Sequence, residues 1–261
     1  MTQSVFNALM HQIGPGHVLG FFLVLARISP LFVVAPLFSS TMLPAQVRTI
    51  IAVALSIGMT PFAMHGQTIP SDPLMIAALF ITNALTGLGF SLAVSVVIAG
   101  VNSAGALLDV VAGFSYGQLI NPFDGSQGGT LTNIYSMIGL ALFIAIGGDA
   151  WMLRGIEHTL VLVPLTGAPN IHSLANGIDM AAGTIFVSAL ELAAPALLAL
   201  LITDVAFGMV SRVMPQLNVF AVGFPLKIGV AILVVTASLP FLGGFLSNQV
   251  AGAVSSALQA I

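Results

Sequence analysis

The sequence predicts an all-α, polytopic membrane protein, and three observations carry that prediction. Of 261 residues, 58% are hydrophobic and only 5% are charged, against about 25% charged residues in a soluble globular domain. Apolar stretches of about 20 residues, the length a helix needs to cross a bilayer, recur along most of the chain. The 27 glycines and 14 prolines suit a bundle whose small residues let helices approach closely and whose neighbours repair broken backbone hydrogen bonds. They also predict kinked or interrupted helical hairpins. A soluble enzyme is excluded.

Charge and special residues narrow the function further. A net charge of −3, dispersed along the chain, offers no nucleic-acid surface and no polybasic lipid patch. With no cysteine, disulfides, thiol catalysis and thiolate metal sites fall away. His11, His17, His65, His158 and His172 show no HxxxH or HExxH spacing, and the glycine-rich stretches lack a phosphate-loop lysine, so neither metal nor cofactor is expected. Residues 1–26 hold no Lys or Arg, which removes the positive region of a signal peptide. Arg27, Arg48, Arg154, Arg212 and Lys227 are the only basic residues, too few to set an orientation by the positive-inside count.

In chain order, residues 17–37 form a first apolar segment that Pro30 and Pro36 should break, because each removes an internal hydrogen bond and crowds the preceding turn. Ala45 to Met64 reads as a second helix. Arg48 stands in its first turn, against the macrodipole, and so needs a partner on another element or a reach to water or headgroups. Asp72 and Pro73 mark a helix start, N-cap followed by first helical residue, for the apolar run Leu74 to Val101. Asn83 and Gly87 fall one turn apart on that run, as a close helix contact would have them.

Between Asn102 and Gly129 the character changes. Asp109 lies in a short helical pattern, after which Gly113, Gly117, Pro122, Gly125, Gly128 and Gly129 exclude a spanning helix. Phe114, Tyr116, Leu119, Ile120 and Phe123 follow no helical or strand period. Two readings fit: a surface loop with interfacial aromatics, or a bulky loop filling a pore, since irregular backbone at membrane depth must be buried or line a cavity. Leu131 to Met152 reads as one further helix, Arg154 to Asn176 as a connection outside the hydrocarbon. Ile178 to Met214 carries Asp179, Glu191, Pro195, Asp204 and Arg212; as one helix it would be about 55 Å long, more than a bilayer core of about 30 Å.

Ala194 to Lys227 is the most informative stretch. A long apolar helix bears Asp204 and Arg212, stops at Pro215, turns through Gln216 to Phe220, and restarts after Pro225 with Lys227 aboard; the partner helix, Leu226 to Leu246, should break near Pro240. At bilayer depth each charge costs roughly 2.5–3.5 kcal/mol and is expected to face protein or a wet cavity. In a hairpin turning near Leu217, Asp204 lies 13 residues before the turn and Lys227 lies 10 after it. That similar depth predicts an ion pair.

Three blocks, ARISPLFVVAPLFSSTMLPAQVRTIIAVALSIGMTP, AGFSYGQLINPFDGSQ and DVAFGMVSRVMPQLNVFAVGFPLK, resemble the FliR family of flagellar export-gate proteins, with the injectisome SctT proteins as relatives. The similarity runs from about Arg27 to Pro240, and its most specific part is the turn motif with Pro215, Gln216, Asn218, Phe220 and Pro225. The resemblance implies a FliP-like part over residues 1–177, a FliQ-like hairpin over 178–261, assembly with FliP and FliQ into a conical helical gate, and FlhB and FlhA as further partners. It implies a multi-pass protein of the bacterial inner membrane, at the flagellar basal body, passing unfolded flagellar proteins without catalysis. By position, the family's pore-closing loop falls on Gly113 to Pro122, with Phe114, Tyr116 and Leu119 as bulky elements and Gly117 allowing close approach. Arg27, Arg48, Asp109, Glu191, Asp204, Arg212 and Lys227 become candidates for buried charges facing subunit neighbours. Asn83 and Ala106 stand where the family often has acids, which leaves Asp109 as a possible substitute. An injectisome gate subunit is the nearest alternative; a self-contained secondary transporter using Asp204, Arg212 and Lys227 is the more distant one.

Overall fold

A computed structural model describes residues 15–35, 38, 44–115, 129–216 and 218–260. These residues form helices α1 (Pro15–Val34), α2 (Ala45–Ala63), α3 (Pro73–Ala112), α4 (Thr130–Ala145), α5 (Gly148–Leu162), α6 (Ile171–Val213) and α7 (Val219–Ala260). Strands are absent among the described residues. Five of the helices are long and apolar enough to cross a membrane, and a sixth crossing is added if the bent pair α4 and α5 counts as one. The chain is an all-α, multi-pass membrane protein.

Several boundaries depart from the sequence expectation, and prolines account for most of them. Pro30 lies inside α1 rather than ending it. The carbonyl it leaves without a helical donor is that of Ala26, and the Ser29 hydroxyl donates to it at 3.3 Å. Pro195 lies within α6, and Pro225 and Pro240 lie within α7, so the last helix neither restarts after Pro225 nor breaks at Pro240. Long apolar helices tolerate proline because neighbouring groups take up the freed carbonyls. α7 starts at Val219 because the Asn218 side-chain oxygen accepts the Ala221 N–H at 3.2 Å, an N-cap.

The helix beginning at Pro73 continues past Asn102 to Ala112 and ends where Gly113 adopts φ +92°, a conformation that favours glycine. Conversely, the single helix expected over Leu131 to Met152 is two, separated by Ile146 and Gly147, with Gly147 at φ +72°. Much of the expected connection from Arg154 to Asn176 is therefore helical: α5 runs to Leu162 and α6 begins at Ile171. The start of α3 is as read, with Asp72 Oδ1 accepting the Leu74 N–H at 3.3 Å.

Contacts group the chain into two compact units. One comprises Met1–Ser95, Asp149–Ala181 and Ala251–Ile261; the other comprises Val96–Gly148 and Ala182–Val250. The first has a core of Leu23, Val24, Ile28, Leu31, Phe90, Met152 and Ile156. Its close approach depends on Gly87, where a Cβ would run into the backbone carbonyl of Arg27. The second has a core of Val101, Leu108, Leu131, Tyr135, Phe143 and Leu200, with Gly105 lying against the backbone of Thr132.

Candidate functional site

The first N–H groups and last C=O groups of any helix lack intrahelical partners, and the buried charges of this chain are placed at such ends. α4 begins after Gly129, whose residue type offers no side-chain cap. Asp109, on the last turn of α3 and 2% exposed, supplies the cap from outside. Its Oδ1 accepts the Leu131 N–H at 2.8 Å, and its Oδ2 accepts the Thr132 N–H at 2.8 Å and the Thr132 hydroxyl at 2.6 Å. An anion at a helix N-terminus also agrees with the macrodipole.

The same residue stands at the base of the segment 113–129. Gly113 ends α3 with its N–H bonded to the Asp109 carbonyl at 3.1 Å, and a Cβ on Gly129 would collide with the Asp109 carboxylate. Both ends of the 113–129 segment are thus held at one residue. Of the expected pore-closing loop, Gly113 is buried and Phe114 half-buried; Tyr116, Gly117, Leu119 and Pro122 lie outside the described residues.

Lys227 reaches the same turn of α3. Its Nζ lies 2.6 Å from Asp204 Oδ1, the pairing that equal depth in the hairpin predicts, and donates to the Val111 carbonyl at 3.3 Å. Val111 is among the last residues of α3, so its carbonyl is one that the helix leaves open to a cation. One ion pair therefore joins α6, α7 and the end of α3, two residues before Gly113.

The compact unit containing α5 has a counterpart of opposite sign. Arg27 is fully buried, and its Nη1 donates to the Thr159 carbonyl at 2.9 Å and the Val163 carbonyl at 2.6 Å, at the C-terminal end of α5. Asn83 assists by donating to the Leu165 carbonyl at 2.9 Å. Arg27 Nε and Nη2 and the Asn83 side-chain oxygen make no hydrogen bond among the described residues. The remaining charges behave differently: Glu191 and Arg212 are exposed, and Arg48 is half-buried. Pro215, Gln216 and Asn218 form the exposed turn, while Phe220 and Pro225 belong to the first turns of α7.

Nothing in the sequence marks Leu131, Thr132, Thr159, Val163 and Leu165 as the bonding partners of these side chains. Backbone carbonyls carry no residue signature, although Gly129 before Thr130 does mark a helix start without a capping side chain.

Comparison with known proteins identifies the group. Residues 18–253 match the family described as bacterial export proteins, family 1. The chain belongs to this family, the FliR family. Among its relatives, the flagellar biosynthetic protein FliR of Bacillus subtilis (strain 168) is 32% identical over 227 residues, covering 85% of this chain and 87% of the relative. The FliR protein of Escherichia coli (strain K12) is 26% identical over 225 residues, 86% of each chain. The surface presentation of antigens protein SpaR of Salmonella typhimurium is 26% identical over 227 residues, 86% of this chain and 83% of that one. The family match covers α1 through most of α7, and so includes Arg27, Asp109, Asp204 and Lys227.

Proposed function

We propose that this chain is a core subunit of the flagellar type III export gate, which forms with FliP and FliQ the inner-membrane channel for unfolded flagellar subunits, alongside FlhA and FlhB. Membership of an export family and the flagellar names of its relatives support the reading. The observation that carries it at the level of residues is the base at Asp109. A segment rich in glycine and aromatics begins at Gly113, whose N–H bonds the Asp109 backbone carbonyl, and ends at Gly129, which lies against the Asp109 carboxylate that caps α4.

In this reading residues 113–122 are the pore-closing loop. Phe114, Tyr116 and Leu119 close the resting channel by excluding water from an apolar constriction, and Asp109 positions the loop rather than contributing an acid to the pore. No chemistry is required of the chain. Residues 1–177 form the FliP-like part and 178–261 the FliQ-like hairpin. The exposed Pro215, Gln216 and Asn218 and the exposed Glu191 and Arg212 face neighbouring subunits.

Native mass spectrometry of the tagged chain, co-expressed with FliP and FliQ, tests the assignment. A complex of fixed composition containing all three chains is expected; a stable lone chain that ignores both partners would refute it. The similarity to SpaR keeps a second reading in play, the same role in an injectisome. Deletion separates the two: loss of motility marks the flagellar gate, loss of effector release the other.

A further inference from the structure

The last turn of α3 is held from two sides. On one side, the Asp109 carboxylate takes three donors at the start of α4. On the other, Lys227 of α7 donates to the Val111 carbonyl at 3.3 Å while it pairs with Asp204 of α6 at 2.6 Å. A cation suits the carbonyl end of a helix by the sign of the dipole. The two ties differ in their access to water. Asp109 is 2% exposed, whereas the side chains of Asp204 and Lys227 are 47% and 21% exposed, so solvent competes for both charges of the pair. The first tie is fixed and the second is open to exchange.

The hairpin that carries the second tie has packing of its own. Gly223, one turn before Lys227, is buried and lies against the Phe207 ring of α6, which keeps α6 and α7 together without the ion pair. What depends on Lys227 is the end of α3, and helix ends are the parts of a fold that open at least cost. Gly113 follows two residues after Val111, at φ +92°. The wide conformational range of glycine leaves the direction in which the chain departs to whatever holds the preceding turn. We propose that Lys227 is a positioning residue: through the Val111 carbonyl it holds the end of α3, and with it the start of the closing segment, on the α6–α7 hairpin, so that a movement of the hairpin is carried to that segment. The closing role of the segment rests on the export reading above; the tie between α7 and α3 stands apart from it.

The chain has no cysteine, so spin labels can be placed one pair at a time at the exposed positions Val110, Met137 and Leu233. In full-length chain in lipid nanodiscs, labels on Val110→Cys and Leu233→Cys report α3 against α7, and labels on Val110→Cys and Met137→Cys report α3 against α4. Lys227→Met should broaden the first distance distribution and leave the second as narrow as in the parent, while Lys227→Arg, which keeps a donor, should preserve both. An unchanged first distribution would overturn the proposal, and so would broadening of both, which marks general loosening and not a lost tie. In cells that co-express the chain with FliP and FliQ, Lys227→Met should then leak small ions and Lys227→Arg should stay tight. A broadened α3 to α7 distance without leak would uphold the tie and refute the closing role of the segment, so the two can fail separately.

Discussion

Asp109 and Arg27 apply one device at the two outer ends of the bent pair α4 and α5, with opposite completeness. The carboxylate of Asp109 takes three donors, two of them backbone N–H groups that α4 cannot satisfy itself. Arg27 gives only Nη1 to carbonyls, and its Nε and Nη2 are buried without a partner among the described residues. A buried charge stabilises a fold only as far as its hydrogen bonds offset its desolvation. The two residues are equally hidden and equally apt for the helix dipole, and they should differ sharply in what their loss costs.

The largest effect is expected at Asp109. Replacing it with alanine strands the Leu131 and Thr132 N–H groups in the interior, at roughly 1–3 kcal/mol for each unsatisfied donor. Arg27→Met should cost less: it strands the Val163 carbonyl while the Thr159 carbonyl keeps the Val163 N–H, and the removal of a buried charge that is only partly compensated offsets part of that loss. Denaturation of the purified variants in one detergent ranks them, and an Arg27 variant less stable than the Asp109 variant would break the comparison.

Close packing gives the next effect. At Gly87 a Cβ would meet the Arg27 backbone carbonyl, whereas at Gly208 nothing stands within reach. Gly87→Ala should destabilise by roughly 1–3 kcal/mol, and Gly208→Ala should stabilise α6 by roughly 0.5–1 kcal/mol. Matching melting shifts for the two would show that the α1 to α3 approach is not tight.

The smallest effect belongs to Asp204 and Lys227, whose side chains are 47% and 21% exposed. A double-mutant cycle with Asp204→Asn and Lys227→Met should give a coupling of about 1 kcal/mol or less. A coupling several times larger would mean that the pair is desolvated, as Asp109 is.

These contrasts follow the line between what the sequence displays and what it hides. The Asp204 to Lys227 pair is legible because a hairpin reduces depth to counting residues from one turn, and Asp72 with Pro73 because capping is local. Arg27 is visible as an isolated cation in an apolar run, but its partners are carbonyls more than 130 residues away, which no residue type announces. The continuity of α1 through Pro30 is hidden because a proline announces the lost hydrogen bond and not the Ser29 hydroxyl that takes up the freed carbonyl. The break at Gly147 left a weak signal: a second glycine and then Asp149, an acid suited to the first turn of a new helix.

On the proposed reading, the Asp109 end and not the Arg27 end positions the closing segment of the channel. Ion leak separates the two ends, measured in cells that co-express this chain with FliP and FliQ and carry Asp109→Asn or Arg27→Met. Both variants should assemble with the partners; the Asp109 variant should leak small ions and the Arg27 variant should stay as tight as the parent. A tight Asp109 variant, or equal leak from both, would contradict the claim.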